Sequence, residues 1–91
     1  MPIVTLRYWA AAKDAAGAAE DKLEAATLAD ALAAGLAAAR HRSQDREDRL
    51  RVVLARSSFL VNGQPAGTRP PESLDLAAGA EIEVLPPFAG G

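Results

Sequence analysis

The sequence lacks several residues and segments on which whole classes of protein depend. It contains no cysteine, which excludes a disulfide scaffold, a thiolate nucleophile and a cysteine-based metal site. His41 is the single histidine, and a lone ligand does not make a metal site, so we expect no bound metal. No apolar run reaches about 18 residues, and residues 1–4 carry no basic signal-peptide segment. We therefore expect a cytoplasmic protein with no membrane partner.

An excess of positive charge is also missing. The formal net charge is -2 and the pI is near 5.3, which argues against a nucleic-acid partner. The 91 residues suffice for one small domain with one core. Such a domain has little room for a deep active-site cleft, so we do not expect an enzyme that acts by itself.

Alternating and apolar segments predict the strands. Residues 4–9 and 81–85 alternate with period two, and residues 20–25 form a weaker candidate. Residues 59–61 form another apolar strand, which ends at the strong turn signal Asn62-Gly63. The side chains expected in the core are Val4, Leu6, Tyr8, Ile82 and Val84. The first and last strands are the most apolar, which suits adjacent central positions.

The clearest helix is predicted over Leu28–Arg42. Thr27 is a good N-cap, and Leu28, Leu32 and Leu36 repeat every four residues as an apolar stripe. A shorter helix is predicted over residues 10–16. The charged residues 40–51, which we call the arginine-rich stretch, are interpreted as a solvated loop or short helical insertion, because their charges are mixed and nearly balanced.

This order of elements predicts an α+β fold with a β-grasp layout. We expect a mixed sheet with one long helix packed across it. The domain would comprise residues 1–85, and residues 86–91 would form a flexible C-terminal tail. Pro86 and Pro87 fix φ and remove two donors, so they should end the sheet and project the tail outward.

The tail closes on Gly90-Gly91, a pair expected by chance in roughly 0.5% of chains at average glycine usage. Glycine is common in disordered termini, which is the alternative explanation. The pair is final, however, and the tail begins directly after the last strand. We therefore predict that Gly90 and Gly91 form the catalytic end of the chain. Without side chains they can enter a narrow channel, where the α-carboxylate of Gly91 is the reacting group.

The same alternation predicts an apolar patch at the start of this tail. If Leu6 and Ile82 face the helix, Trp9 and Leu85 face away, and Phe88 follows on the tail. Exposed aromatic and aliphatic patches mark partner surfaces. The alternative is that Trp9 packs under the helix of residues 10–16 or under the arginine-rich stretch. The predicted partner-binding residues are Trp9, Leu85, Pro86, Pro87 and Phe88.

The sequence resembles the MoaD/ThiS family of sulfur carriers over its whole length. The residues that carry the resemblance are Tyr8-Trp9-Ala10-Ala11-Ala12, Val61-Asn62-Gly63, Gly79-Ala80-Glu81 and Leu85-Pro86-Pro87-Phe88-Ala89-Gly90-Gly91. The Pro-Pro-x-x-Gly-Gly ending is similar to the MoaD branch, the small subunit of molybdopterin synthase. The arginine-rich stretch is longer than in compact members, and Pro65 stands where many members have another residue near the partner contact.

The resemblance implies a ubiquitin-like β-grasp fold and a set of partners. An E1-like adenylating enzyme of the MoeB type would use ATP to form an acyl-adenylate on Gly91, and a sulfur donor would convert it to a thiocarboxylate. The tail would then enter a MoaE-like large subunit and give its sulfur to cyclic pyranopterin monophosphate. The carrier itself would hold no cofactor.

Three other functions remain open from the residues. A carrier for thiamin thiazole, for cysteine (CysO-like) or for a secondary metabolite would share the tail and the fold. A ubiquitin-like protein modifier would share the chemistry as far as the adenylate and then form isopeptide bonds through Gly91. A plain β-grasp interaction module would carry the Gly-Gly end incidentally.

Overall fold

The computed structural model of the chain describes residues 1–87, which form a five-stranded mixed sheet and three α-helices. The strands are β1 (Ile3–Tyr8), β2 (Glu20–Glu24), β3 (Ser58–Val61), β4 (Gln64–Pro65) and β5 (Glu81–Leu85). The helices are α1 (Ala10–Ala16), α2 (Leu28–Arg42) and α3 (Gln44–Arg56), and a single 3-10 turn covers Pro71–Ser73. The predicted α+β class is confirmed.

The strand order is β2-β1-β5-β3-β4, which places the first and last strands side by side as predicted. β1 and β5 run parallel, whereas the other neighbouring pairs are antiparallel. In the central register Leu6 lies opposite Ile82, and Tyr8 lies opposite Val84. Parallel neighbours require a crossover connection, which the helices provide between these two strands.

The sheet buries one face, as its alternation predicts. The predicted core side chains Val4, Leu6, Tyr8, Ile82 and Val84 are each no more than 1% exposed. The turn at Asn62-Gly63 has φ values of 51° and 80°, the left-handed pair that a two-residue type I′ hairpin loop requires. Local turn chemistry and hydrophobic pattern therefore agree on one register.

α2 presents small residues to the sheet. Its buried positions are Leu28, Ala31, Gly35 and Ala39. The predicted stripe is only partly correct, because Leu32 and Leu36 pack against the core without being fully buried. Thr27 caps the helix as predicted, with its Oγ1 accepting a bond from the Asp30 amide at 3.2 Å.

Gly35 permits the close approach of α2 to β1. A Cβ at this position would lie 2.6 Å from Leu6 Cδ2 and 2.8 Å from the Tyr8 hydroxyl oxygen. A glycine inside a helix costs about 1 kcal/mol relative to alanine. Here that cost accompanies a contact that no larger residue allows without displacing the core.

α3 is longer than the loop or short insertion expected within residues 40–51. Ser43 begins it by accepting a bond from the Arg46 amide at 3.1 Å. Its buried residue is Leu50, and it packs against α1 and α2. Because its contacts are with other helices, it needs only a narrow apolar stripe. The fold thus adds a second helix of similar length to the one long helix predicted.

Candidate partner surface where the chain leaves the sheet

The chain leaves the sheet directly after β5. The main-chain amide of Trp9 donates to the carbonyl of Val84 at 3.3 Å, and Leu85 is paired with Ser58 of β3. Pro86 and Pro87 cannot donate to a further ladder bond, so they end the strand. We call Leu85, Pro86 and Pro87 the tail root. β5 ends at Leu85, and the division into a domain of residues 1–85 and a tail of residues 86–91 stays a prediction.

Trp9 lies on the outer face of the sheet, the face opposite the buried side chains of β1 and β5. Its side chain is 46% exposed, and its Nε1 donates to Glu83 Oε1 at 3.0 Å. The next residue, Ala10, has a φ of 48° and turns the chain into α1. The tryptophan is therefore held in position by a polar contact while much of its ring system remains accessible.

The predicted partner-binding residues fall into two groups. Trp9 and Leu85 belong to the outer face, where Leu85 lies two residues beyond Glu83 along β5. Pro86 and Pro87 instead line a pocket formed with α1 and α3. The remaining predicted site residues, Phe88, Gly90 and Gly91, lie outside the described residues. The functional roles assigned to all of them remain predictions.

The pocket beside the tail root has a volume of about 210 Å³. Its lining residues are Ala11, Val52, Val53, Arg56, Pro86 and Pro87. Val52 is 64% exposed, which is high for a branched apolar side chain on a helix. Neither Val52 nor Arg56 was predicted from the sequence. Their spacing of four residues would have placed them on one helix face had α3 been recognised.

Ion pairs cover much of the charge on α3. Arg51 lies 3.6 Å from Glu47, and Arg49 lies 3.0 Å from Asp14 and 3.8 Å from Asp45. Two of these pairs are spaced i,i+4 along the helix. The Asp45–Arg49 pair is exposed and contributes little stability, whereas the Glu47 side chain is only 14% exposed beside an exposed Arg51. These ion pairs involve two of the four arginines of α3, Arg49 and Arg51.

A second polar cluster lies away from the tail root and joins four elements, β1, β2, α1 and α2. The Tyr8 hydroxyl donates to Asp21 Oδ2 at 2.9 Å, and the Arg42 guanidinium donates to the same carboxylate and, at 3.0 Å, to the Ala16 carbonyl. Burial and the hydrogen bond to Asp21 raise the pKa of Tyr8 well above its ordinary value. The hydroxyl therefore stays neutral and serves as a structural donor.

Within residues 1–87, no group of three or more histidine, cysteine, aspartate or glutamate side chains is placed to hold a metal ion. A cavity of about 590 Å³ lies beside the β3–β4 hairpin, but none of the tail-root residues lines it. Its Arg69 donates to the carbonyls of Pro65 and Ala66.

No helix in residues 1–87 combines the length and apolar character needed to cross a bilayer.

The strand order and the solved structures it resembles show that this chain has the ubiquitin-like β-grasp fold. No protein-family model matches the sequence, and no curated protein matches it either. Among solved structures, small archaeal modifier protein 1 of Haloferax volcanii has a TM-score of 0.74 at 21% identity, covering 97% of this chain and 100% of that one.

Two further solved structures resemble this chain over nearly its whole length. The small archaeal modifier protein 1 of Methanosarcina acetivorans has a TM-score of 0.73 at 24% identity, covering 100% of this chain and 98% of that one. A candidate molybdopterin converting factor, subunit 1, from Pyrococcus furiosus has a TM-score of 0.67 at 19% identity, with 97% and 100% coverage. These likenesses establish the predicted β-grasp fold. They also agree with the resemblance of the sequence to the MoaD/ThiS family, since the Pyrococcus furiosus neighbour is named as a molybdopterin converting factor.

Proposed function

We propose that this chain is a sulfur carrier that works through the carboxylate of Gly91. The observation that carries the proposal is the placement of the tail root. β5 is locked between β1 and β3 up to Leu85, and Pro86-Pro87 then lead directly toward the Gly-Gly sequence. The β-grasp neighbours, which include a candidate molybdopterin converting factor, support the same function.

The proposed chemistry has two steps. A Gly91 carboxylate oxygen attacks the α-phosphorus of ATP on an E1-like enzyme and displaces pyrophosphate, because a free carboxylate is a poor electrophile. A sulfur donor then attacks the acyl carbon, AMP leaves, and a thiocarboxylate remains. Since the chain has no cysteine, the sulfur is carried by the C-terminus. Gly90 and Gly91 present no Cβ to a narrow channel.

The proposed acceptor is a MoaE-like large subunit of molybdopterin synthase, with this chain as the sulfur-donating small subunit. The thiocarboxylate would supply sulfur to cyclic pyranopterin monophosphate during molybdenum cofactor biosynthesis. Carriers for thiazole, cysteine or secondary-metabolite synthesis share this tail chemistry. They are distinguished by which large subunit or synthase accepts the sulfur, so acceptor assays follow the loading assay.

A second candidate function is supported by two neighbours that are named as modifier proteins. A modifier would use the same adenylate and then join Gly91 to a lysine amine through an isopeptide bond. Cells expressing the tagged chain would then accumulate larger, covalently linked species. Mass spectrometry of those species would locate a Gly-Gly remnant on target lysines.

Intact-mass spectrometry tests the carrier function directly. The chain is incubated with ATP, sulfide and each of several E1-like enzymes, and its mass is compared before and after. We expect the gain that corresponds to one oxygen replaced by sulfur, located on Gly91. A variant lacking Gly91 is the matched control, and we expect it to keep its fold and show no gain.

Two outcomes would contradict the proposal. Normal thiocarboxylate yield from the truncated variant would show that Gly91 is not the reacting residue. Absence of any gain with every activating enzyme, combined with lysine adducts in cells, would favour the modifier function.

A further inference from the structure

α3 places two side chains beside the tail root. Val52 and Arg56 stand one helical turn apart and line the same pocket as Pro86 and Pro87. The other lining residues, Ala11 and Val53, are also apolar. The pocket is therefore an apolar depression with one cationic group.

Exposure and charge distinguish these two residues from the rest of the helix. Val52 is 64% exposed, although burial of a valine side chain is energetically favourable. Arg49 and Arg51 each pair with carboxylates, and Arg46 donates to the main-chain carbonyl of Asp14 at 3.0 Å. Arg56, by contrast, makes no ion pair with any acidic side chain among residues 1–87. A guanidinium beside an apolar surface is well suited to a planar, two-point bond with a carboxylate.

Chain length limits how far away a partner can be. Four residues separate Pro87 from the end of Gly91, and an extended chain of that length reaches about 14 Å. An enzyme that acts on Gly91 must therefore approach close to the tail root. Its surface then faces the exposed Val52 and Arg56 at the same time as the tail.

We infer that the last turns of α3 form a recognition surface for the activating enzyme. The occupant of the pocket is a segment of that enzyme that inserts an apolar side chain against Val52. A neighbouring aspartate or glutamate of the same segment binds Arg56. This inference rests on the proposed function, because it assumes an enzyme that adenylates Gly91.

Steady-state loading kinetics test the inference. The rate of pyrophosphate release is measured with the E1-like enzyme while the concentration of carrier is varied, for Val52→Asp and Arg56→Glu. We expect the KM for the carrier to rise about tenfold or more, with kcat changed less than about twofold, because docking and not chemistry is altered. Circular dichroism of each variant confirms that α3 still forms.

Two substitutions elsewhere serve as matched controls. Ile3→Asp introduces the same charge at an exposed apolar residue near the start of β1, and Arg40→Glu reverses an exposed arginine on α2. We expect both to leave the KM within about twofold of the parent chain. Charge reversal of an enzyme carboxylate to lysine should restore loading of Arg56→Glu and of no other variant.

The outcomes separate the two proposals. If the parent chain is loaded and both α3 variants keep its KM, the recognition surface is wrong while the carrier function stands. If Val52→Asp keeps that KM but abolishes self-association of the parent chain in sedimentation, the pocket's occupant is a second copy, which also overturns the inference. If the parent chain itself is never loaded, the carrier function fails, and the inference fails with it.

Discussion

Tyr8 and Trp9 follow each other in the chain and belong to regions of opposite character. Tyr8 is buried, and its hydroxyl is committed to Asp21 in a cluster that ties β1, β2 and α2 together. Trp9 lies on the outer face near the tail root, where its indole makes a single side-chain hydrogen bond, to Glu83. One step of the strand thus separates a region that maintains the fold from one that is available to a partner. Substitutions in the first should change stability, and those in the second should change binding.

The largest effect on stability is expected from Gly35→Val. The added side chain would meet Leu6 Cδ2 and the Tyr8 hydroxyl below contact distance, so either the helix or the core must shift. Overpacking of this kind typically costs about 1–3 kcal/mol, and we expect a loss near the upper end, about 2–3 kcal/mol. Thermal unfolding would show it as a fall of about 10–20 °C. Ala37→Val, at an exposed position of the same helix, should change the midpoint by only a few degrees.

An intermediate effect is expected from Tyr8→Phe, which removes the hydroxyl from Asp21. At neutral pH the loss should be about 1–2 kcal/mol, because Arg42 still satisfies the carboxylate in part. A milder or absent loss would show that the cluster is held by Arg42 alone. Chemical denaturation of the two proteins measures the difference.

Tyr8→Phe should also change how the stability of the fold depends on pH above neutrality. The pKa of Tyr8 is raised in the folded chain by burial and by the hydrogen bond to Asp21, whereas in the unfolded chain it stays at about 10. The unfolded state therefore releases its proton first, and stability is lost as pH rises above about 10. We expect this loss in the parent chain and a shallower slope in Tyr8→Phe. Because the chain has one tyrosine, tyrosinate absorbance on unfolding reports this group alone. Identical slopes would contradict the assignment.

The smallest effect on stability is expected from Trp9→Ala. Its exposed indole loses one bond to Glu83, so the free energy of unfolding should fall by less than about 1 kcal/mol. Affinity for the activating enzyme should fall about tenfold or more, since exposed tryptophans are frequent binding hot spots. Calorimetry on the same samples measures it. Unchanged affinity, or a stability loss as large as that of Gly35→Val, would contradict the expectation that Trp9 acts in binding and not in maintaining the fold.

Most of the fold could be predicted because local signals agree with the tertiary structure. Thr27 caps α2, and Asn62-Gly63 closes the β3–β4 hairpin. Alternation in β1 and β5 identifies the buried side chains without any knowledge of their partners. α3 was underestimated because it rests on other helices, where Leu50 is its buried residue. A helix that buries so little apolar surface leaves a weak periodic signal.

The candidate site could be predicted only along the strands that lead to it. Period-two alternation places Trp9 on the outer face, and the two prolines mark where β5 ends. Val52 and Arg56 come from a distant part of the chain, and only the packing of α3 against α1 brings them to Pro86 and Pro87. No local pattern encodes that juxtaposition, because it depends on how two helices meet.

The parallel pairing of β1 with β5 also sets the order of events in folding. Thr5 pairs with Glu81, so the centre of the sheet joins segments from nearly opposite ends of the sequence. Closing so long a loop carries a large entropic cost before any contact repays it, which makes folding slow relative to a hairpin-only sheet. The chain cannot complete its centre until β5 has been synthesised. A shortened product that stops before residue 81 would lack a middle strand, so incomplete chains are expected to remain unfolded and open to proteolysis.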